Sequence, residues 1–218
     1  PLCNLTLGLE ADLKDLKEAL PQFKESIEKV NPEGLIKFSG NFRGKLRDKE
    51  SWQIRLNGES PQIALRGLKL SNLLLDYARR ETTADFLNLA ANSYGGLLEI
   101  AGKVYPAENQ IPFTLKGKID NVDLAKLKMD TPFKDKPTSG TLSGEISLSG
   151  LAQNKESWQG RSSLSFKDGN LWEINFLKGL GKFLLIPEFE KIVINEATGD
   201  FSIGDKNIHI EDLELKSG

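Results

Sequence analysis

Side chains able to do chemistry are scarce in this sequence. There is one cysteine, Cys3, and one histidine, His209. A Cys/His zinc site is excluded on count, and one thiol cannot close an internal disulfide. A nucleophile-and-base mechanism would have only His209 as its base. His209 stands between Ile208 and Ile210, so on a strand it points to the polar side and reads as a surface histidine. The acid pairs Glu10/Asp12 and Glu211/Asp212 read as solvated carboxylates in turns or on a wet strand face. No glycine loop opens a helix to cradle phosphate. Asp168-Gly169-Asn170 and Gly204-Asp205-Lys206-Asn207 lack the carboxylates an oxygen-ligated calcium site needs. The expectation is a non-enzymatic protein without metal or cofactor. Trp52, Trp158 and Trp172 suit sugar stacking, but tryptophans more commonly pack in cores.

The remaining residues must therefore act by shape and polarity. The chain has 218 residues, with 29 Lys+Arg against 31 Asp+Glu, a formal net charge of -2. That balance argues against nucleic acid as a partner and supplies no polybasic pull toward anionic lipid. Hydrophobic residues make up 39% and charged ones 28%, which fits a folded domain and not a disordered one. The longest fully apolar run, Phe183-Leu184-Leu185-Ile186, is far below the ~20 residues that span a bilayer. The start, Pro1-Leu2-Cys3-Asn4, carries no basic signal region and reads as a cut inside a longer protein.

Alternation dominates the chain. Ile36, Phe38, Gly40, Phe42, Gly44 and Leu46 share one parity, with Lys37, Ser39, Asn41, Arg43 and Lys45 on the other. Period 2 marks a strand with one apolar and one wet face. The pattern returns at Trp52-Ile54-Leu56, Leu98-Ile100-Gly102-Val104, Phe113-Leu115-Gly117-Ile119, Leu142-Gly144-Ile146-Leu148, Trp158 to Phe166, and Ile208-His209-Ile210. Roughly ten to twelve strands follow, paired antiparallel because buried parallel strands read as unbroken apolar runs. Turns are expected at Asn57-Gly58, Asp168-Gly169 and Gly204-Asp205.

Two stretches carry helical spacing. Leu13, Leu16, Leu20, Phe23, Ile27 and Val30 predict an amphipathic helix of about five turns. Asp12 is its N-cap, and Pro21 kinks or splits it. A second helix is predicted over Glu173 to Leu185, and a single turn at Val122 to Leu127. One domain is expected, with the loop at 130–138 as its only seam. Leu115 to Leu124 reads as a weak repeat of Leu65 to Leu74.

Twelve strands at about 4.8 Å in one sheet would span roughly 55 Å, more than two helices can cover. Such a sheet curls into a trough, or its halves bury each other as a sandwich or barrel. Alternation alone favours the sandwich.

A resemblance shifts that balance. Thr141 to Gly150, Gly160 to Leu171, Ala197 to Ile208 and Ile210 to Ser217 follow in order. This series resembles the C-terminal region of the AsmA-like family of bacterial envelope proteins, over about 80 residues. Lys116 to Leu127 is similar to that family's repeated strand-and-turn unit. The resemblance implies a mainly β fold: a long curled antiparallel sheet forming an open apolar trough, with two or three short helices at its ends or rim. It implies a periplasmic protein, anchored in the inner membrane by a segment absent here. The implied work is passage of phospholipid or other acyl-chain lipid toward the outer membrane. The alternative is a scaffold or assembly factor that pairs its sheet edges with other envelope proteins. No catalytic residues carry over.

The parity then names the lining of the trough: Ile36, Phe38, Phe42, Leu98, Ile100, Phe113, Leu115, Leu142, Ile146, Leu148, Leu164 and Phe166. Passive transport needs shallow, uniform contact, so no polar clamp is expected among them.

Overall fold

The computed structural model describes residues 2–216 apart from 20, 22–23, 46, 81–83, 106–109, 133, 136–137, 172–194 and 205–206. Eleven strands follow one another as a single antiparallel meander: β1 Leu2–Asp12, β2 Pro32–Lys45, β3 Asp48–Leu65, β4 Leu68–Arg80, β5 Ala84–Ser93, β6 Gly96–Val104, β7 Pro112–Asp123, β8 Thr138–Leu151, β9 Asn154–Leu171, β10 Glu196–Gly204 and β11 Asn207–Lys216. Spatial order equals chain order throughout. β1 pairs only with β2 and β11 only with β10. The sheet is therefore open and curled, neither a barrel nor a sandwich. The accessible surface is 14669 Å², against about 10,000 Å² for a compact monomer of this mass.

The expected long N-terminal helix divides at Pro21, which has no backbone N–H to donate and whose ring crowds the carbonyl four residues earlier. A 3-10 turn at Leu13–Asp15 leads into α1, Leu16–Ala19, and α2 covers Lys24–Val30. The Asp12 carboxylate accepts the Lys14 N–H at 3.0 Å, and so caps the first turn. Leu20 and Phe23 of the predicted stripe, the helix predicted over Glu173 to Leu185, and Trp172 lie outside the described residues. The single turn is present as α3, Leu124–Leu127, capped by Asp123. The strands flanking the 130–138 loop, β7 and β8, pair from Pro112↔Leu151 to Asp123↔Thr141, so the sheet runs on past it.

Strands of alternating direction put these helices at one end. The β1–β2 helices, the Arg66–Gly67 turn, the Tyr94–Gly95 turn and α3 all lie where odd-numbered strands finish. Four register shifts cluster near that end, at Gly34/Lys37, Ser71/Leu74, Ile119/Val122 and Ser139/Thr141. Asn72 and Asn121, at φ 52° and 54°, sit inside two of them. Each bulge re-aims the side chains beyond it, which lets Leu70 and Leu73 enter one cluster.

That cluster is the main core: Leu13, Ile36, Ile63, Leu70, Leu73 and Ala91, with Leu16, Phe38, Leu65, Leu89 and Leu98 packed against it. Full burial of each large side chain stabilises by roughly 1.5–3 kcal/mol. A smaller one joins Phe166 to Leu124, Ala197 and Leu215. The described helices thus seat on one end of the sheet and leave its middle bare.

Two predicted turns are corrected. Asn57-Gly58 lies inside β3 and Asp168-Gly169 inside β9. Gly58 is small because a Cβ there would meet the Phe38 ring at 3.0 Å. Asp168, at φ 54°, forms a bulge. The predicted repeat also fails, since Gly67 is in a turn and Gly117 is in mid-strand.

Candidate functional site

Side chains of directly paired residues share a face, so the ladder fixes both faces of the sheet. One rung reads Leu9, Phe38, Gly58, Leu75, Leu89, Ile100, Gly117, Ile146 and Ser162. The next rung toward the helix-free end includes Leu115 and Leu148. All twelve residues singled out from parity fall on this face: Ile36, Phe38 and Phe42 on β2, Leu98 and Ile100 on β6, Phe113 and Leu115 on β7. Leu142, Ile146 and Leu148 follow on β8, then Leu164 and Phe166 on β9. The same register adds Leu5, Leu7 and Leu9 of β1, Leu75 and Leu87, and Phe201, Ile203, Ile208 and Ile210 at the far side.

The opposite face is a lattice of charges. Lys37 lies 3.8 Å from Glu10, and Arg55 lies 3.7 Å from Asp76. Glu99, Lys118 and Glu145 form one rung. Exposed pairs of this kind are worth about 0–1 kcal/mol each, so they keep the face wet more than they hold the fold. A furrow of about 800 Å³ crosses β2 to β8. On each strand its lining takes two charged-face residues around one apolar-face residue, as in Lys116-Gly117-Lys118. Two rows of charged-face side chains with backbone between them give that pattern, so the furrow belongs to the wet face.

Exposure on the apolar face rises toward both edges. Leu5, Leu7 and Leu9 are 51%, 40% and 57% exposed on β1, and Ile208 is 70% exposed on β11. Even in mid-sheet, Leu87 and Leu164 are 36% and 41% exposed. Apolar patches of this extent mark protein or membrane interaction surfaces or ligand-binding grooves.

Two devices escaped the sequence reading. The first is a pair of matching hairpins. At Lys45-Leu46-Arg47-Asp48-Lys49-Glu50-Ser51-Trp52 and Leu151-Ala152-Gln153-Asn154-Lys155-Glu156-Ser157-Trp158 the chain builds one structure twice. The Ser51 hydroxyl accepts the Lys45 N–H at 2.8 Å and donates to the Asp48 carbonyl at 2.7 Å. Ser157 does the same between Leu151 and Asn154, at 2.8 and 2.7 Å. Each tryptophan then meets a phenylalanine edge-on at 5.5 Å, Phe42 for Trp52 and Phe113 for Trp158. With their indole N–H groups used internally and their rings packed, neither is placed as a free sugar platform. The shared Lys-Glu-Ser-Trp-Gln was the readable signal.

The second device is an ion pair. Among charged residues that the register pairs, only Arg79 and Asp85 take the apolar parity. The Arg79 guanidinium grips the Asp85 carboxylate with two bonds, Nε to Oδ1 at 2.7 Å and Nη2 to Oδ2 at 2.6 Å. Their side chains are 23% and 17% exposed. The bond to Asp85 raises the Arg79 pKa further. Beside them, burial and then the Asp85 charge push the Tyr77 phenol above its ordinary value. Parity alone carries no sign of this clamp, which lies outside the twelve lining residues but on the face where only shallow, uniform contact was expected.

Among the described residues, no group of three or more His, Cys, Asp or Glu is placed to hold a metal ion. No described helix is long and apolar enough to cross a membrane. Comparison of the chain with protein families, with characterised proteins and with solved structures finds no match.

Proposed function

We propose that the apolar face is a non-enzymatic path for the acyl chains of phospholipid, with headgroups held at the wet rim. One observation carries this reading: the strands put most of their large apolar side chains on one face, with Leu2, Leu35, Leu74, Phe86 and Leu97 on the other, and no described element covers the middle or edges of that apolar face. Sheltering a methylene gains about 0.8 kcal/mol, so a sixteen-carbon chain gains about 10 kcal/mol before losses. The resemblance to AsmA-like envelope proteins supports a periplasmic setting between inner and outer membranes, with an inner-membrane anchor elsewhere in the full-length protein. Native mass spectrometry of the purified protein tests the reading: co-purified phospholipid is expected, and a lipid-free mass after exposure to vesicles counts against it.

A scaffold role is the second reading, and β1 favours it. From Leu2 to Leu9 its unpaired edge carries no charge, although charge is the usual guard against strand addition. Edge-paired oligomers without lipid would support this role and an assembly function in the envelope.

A further inference from the structure

We propose that Arg79 and Asp85 form a recognition site for phospholipid headgroups that join a phosphate to an ammonium group. The inference rests on the acyl-chain reading and adds the headgroup class. Both residues stand in one rung of the apolar face, Ile54, Arg79, Asp85 and Val104, near the helix-free end of the sheet. The rung beside it reads Leu56, Tyr77, Leu87 and Gly102. Gly102 leaves a notch there, since a Cβ would meet nothing closer than 3.9 Å.

A half-buried pair in this setting asks for an explanation other than stability. Two charges lose hydration on entering an apolar surface, and well-packed apolar residues of similar volume commonly serve the fold as well. A fixed cation beside a fixed anion is, however, the complement of a zwitterionic headgroup. The guanidinium matches phosphate oxygens with its fork of donors. The Asp85 carboxylate matches the ammonium. The two bonds to Asp85 engage Nε and Nη2 of Arg79, and a phosphate would be met by Nη1 without breaking the pair. Acyl chains from a headgroup held here run over Leu87 and Leu89 toward Leu98 and Ile100 on the same face. A headgroup with phosphate alone would instead face the Asp85 carboxylate and be repelled.

The experiment loads purified full chain from vesicles of phosphatidylethanolamine and phosphatidylglycerol with a minor fraction of diacylglycerol. Bound lipid is counted by native mass spectrometry. The parent protein is expected to enrich phosphatidylethanolamine over phosphatidylglycerol by about tenfold relative to the vesicles, the size of one charge-assisted hydrogen bond. Asp85→Asn keeps the shape, frees the guanidinium and should reverse the preference toward phosphatidylglycerol. The double variant Arg79→Met/Asp85→Leu should bind as much total lipid in vesicle proportions. A parent that loads lipid in vesicle proportions, or an Asp85→Asn variant with unchanged preference, overturns the headgroup site and leaves the acyl path standing. A parent that loads no lipid overturns both.

Discussion

Trp52 and Trp158 make the same bond in two distant hairpins: each indole N–H donates at 3.0 Å to the carbonyl seven residues earlier, Lys45 for one and Leu151 for the other. The serine before each tryptophan bridges the same turn, and the register slips at the same place, at Arg43/Lys45 and at Ser149/Leu151. Register matters here because a one-residue slip would send the apolar row to the charged face. The two hairpins fix it six strands apart, at the end that carries no helix.

Equal geometry predicts equal cost. Ser51→Ala and Ser157→Ala each strand one backbone N–H, a loss of about 1 kcal/mol at a partly solvated site. Denaturant midpoints should fall alike, and the double variant should sum the two losses, as distant sites do. A large inequality would show that the hairpins are not equivalent locks.

The core cluster at the helix end makes Leu13 a stringent test of the cap. It is 7% exposed and belongs to the buried cluster with Ile36, Ile63, Leu70, Leu73 and Ala91. Leu13→Ala should cost about 2–4 kcal/mol through lost burial and the cavity left behind. A midpoint close to the parent's would mean that the N-terminal helices merely rest on the sheet.

Glycines on the two faces should respond oppositely. A Cβ at Gly144, on the apolar face, would meet Leu164 Cδ2 at 2.6 Å and the Ser163 carbonyl at 2.7 Å, whereas at Gly8, on the wet face, it would meet nothing within 4 Å. Gly144→Ala should destabilise clearly. Gly8→Ala should be neutral or gain a few tenths of a kcal/mol from the stiffer unfolded chain. Thermal melts of both variants check this, and similar shifts would contradict the crowding assigned to the apolar face.

A third cluster makes the helix end sensitive to pH. Asp130, just beyond α3, accepts Lys69 Nζ on Oδ1 and the Tyr94 hydroxyl on Oδ2, both at 2.9 Å. Those two hydrogen bonds, Lys69 first, hold its carboxyl below the ordinary range, and Asp130 in turn raises Lys69. A depressed folded-state pKa contributes stability above the usual carboxylate value and loses it as pH falls through the lowered one. The raised lysine contributes below its usual value near 10.5 and loses it as pH climbs past the raised one. Hydrogen-exchange protection factors at residues 124–131, taken relative to the intrinsic rate at each pH, should therefore be highest at neutral pH and fall in acid, and Asp130→Asn should abolish the acid step. An acid step unchanged in that variant would place the sensitive group elsewhere.

Period 2 was legible wherever large and polar residues took turns, as from Ile36 to Lys45 or Leu142 to Leu148, and it placed twelve side chains on one face. It was illegible in β4, where Leu73, Leu74 and Leu75 run together. Only the cross-strand register shows that Leu73 and Leu75 share the apolar face while Leu74 goes to solvent, Leu73 and Leu74 being 2% and 60% exposed, and only the Asn72 bulge brings Leu70 into the core beside Leu73. The split at Pro21 followed from the residue alone, through its missing N–H and its ring. Whether the apolar face closes on itself depends on the absence of β1–β11 pairing, a long-range property with no local signature. Arg79 and Asp85 were unreadable for a related reason: a charge is assigned to a face only once its cross-strand partner is known.

Lipid photocrosslinking beside a stability measurement on Ile146→Glu tests the central claim most directly. Ile146 lies in mid-sheet on the apolar face, opposite Gly117, whose added Cβ would touch it at 2.9 Å. On an open lipid path the new carboxylate keeps part of its water. The account therefore predicts crosslinking in the parent, its loss in the variant, and a denaturant midpoint near the parent's. Collapse of the variant by more than about 4 kcal/mol, with no crosslinking even in the parent, would contradict it and make the apolar face a sealed core.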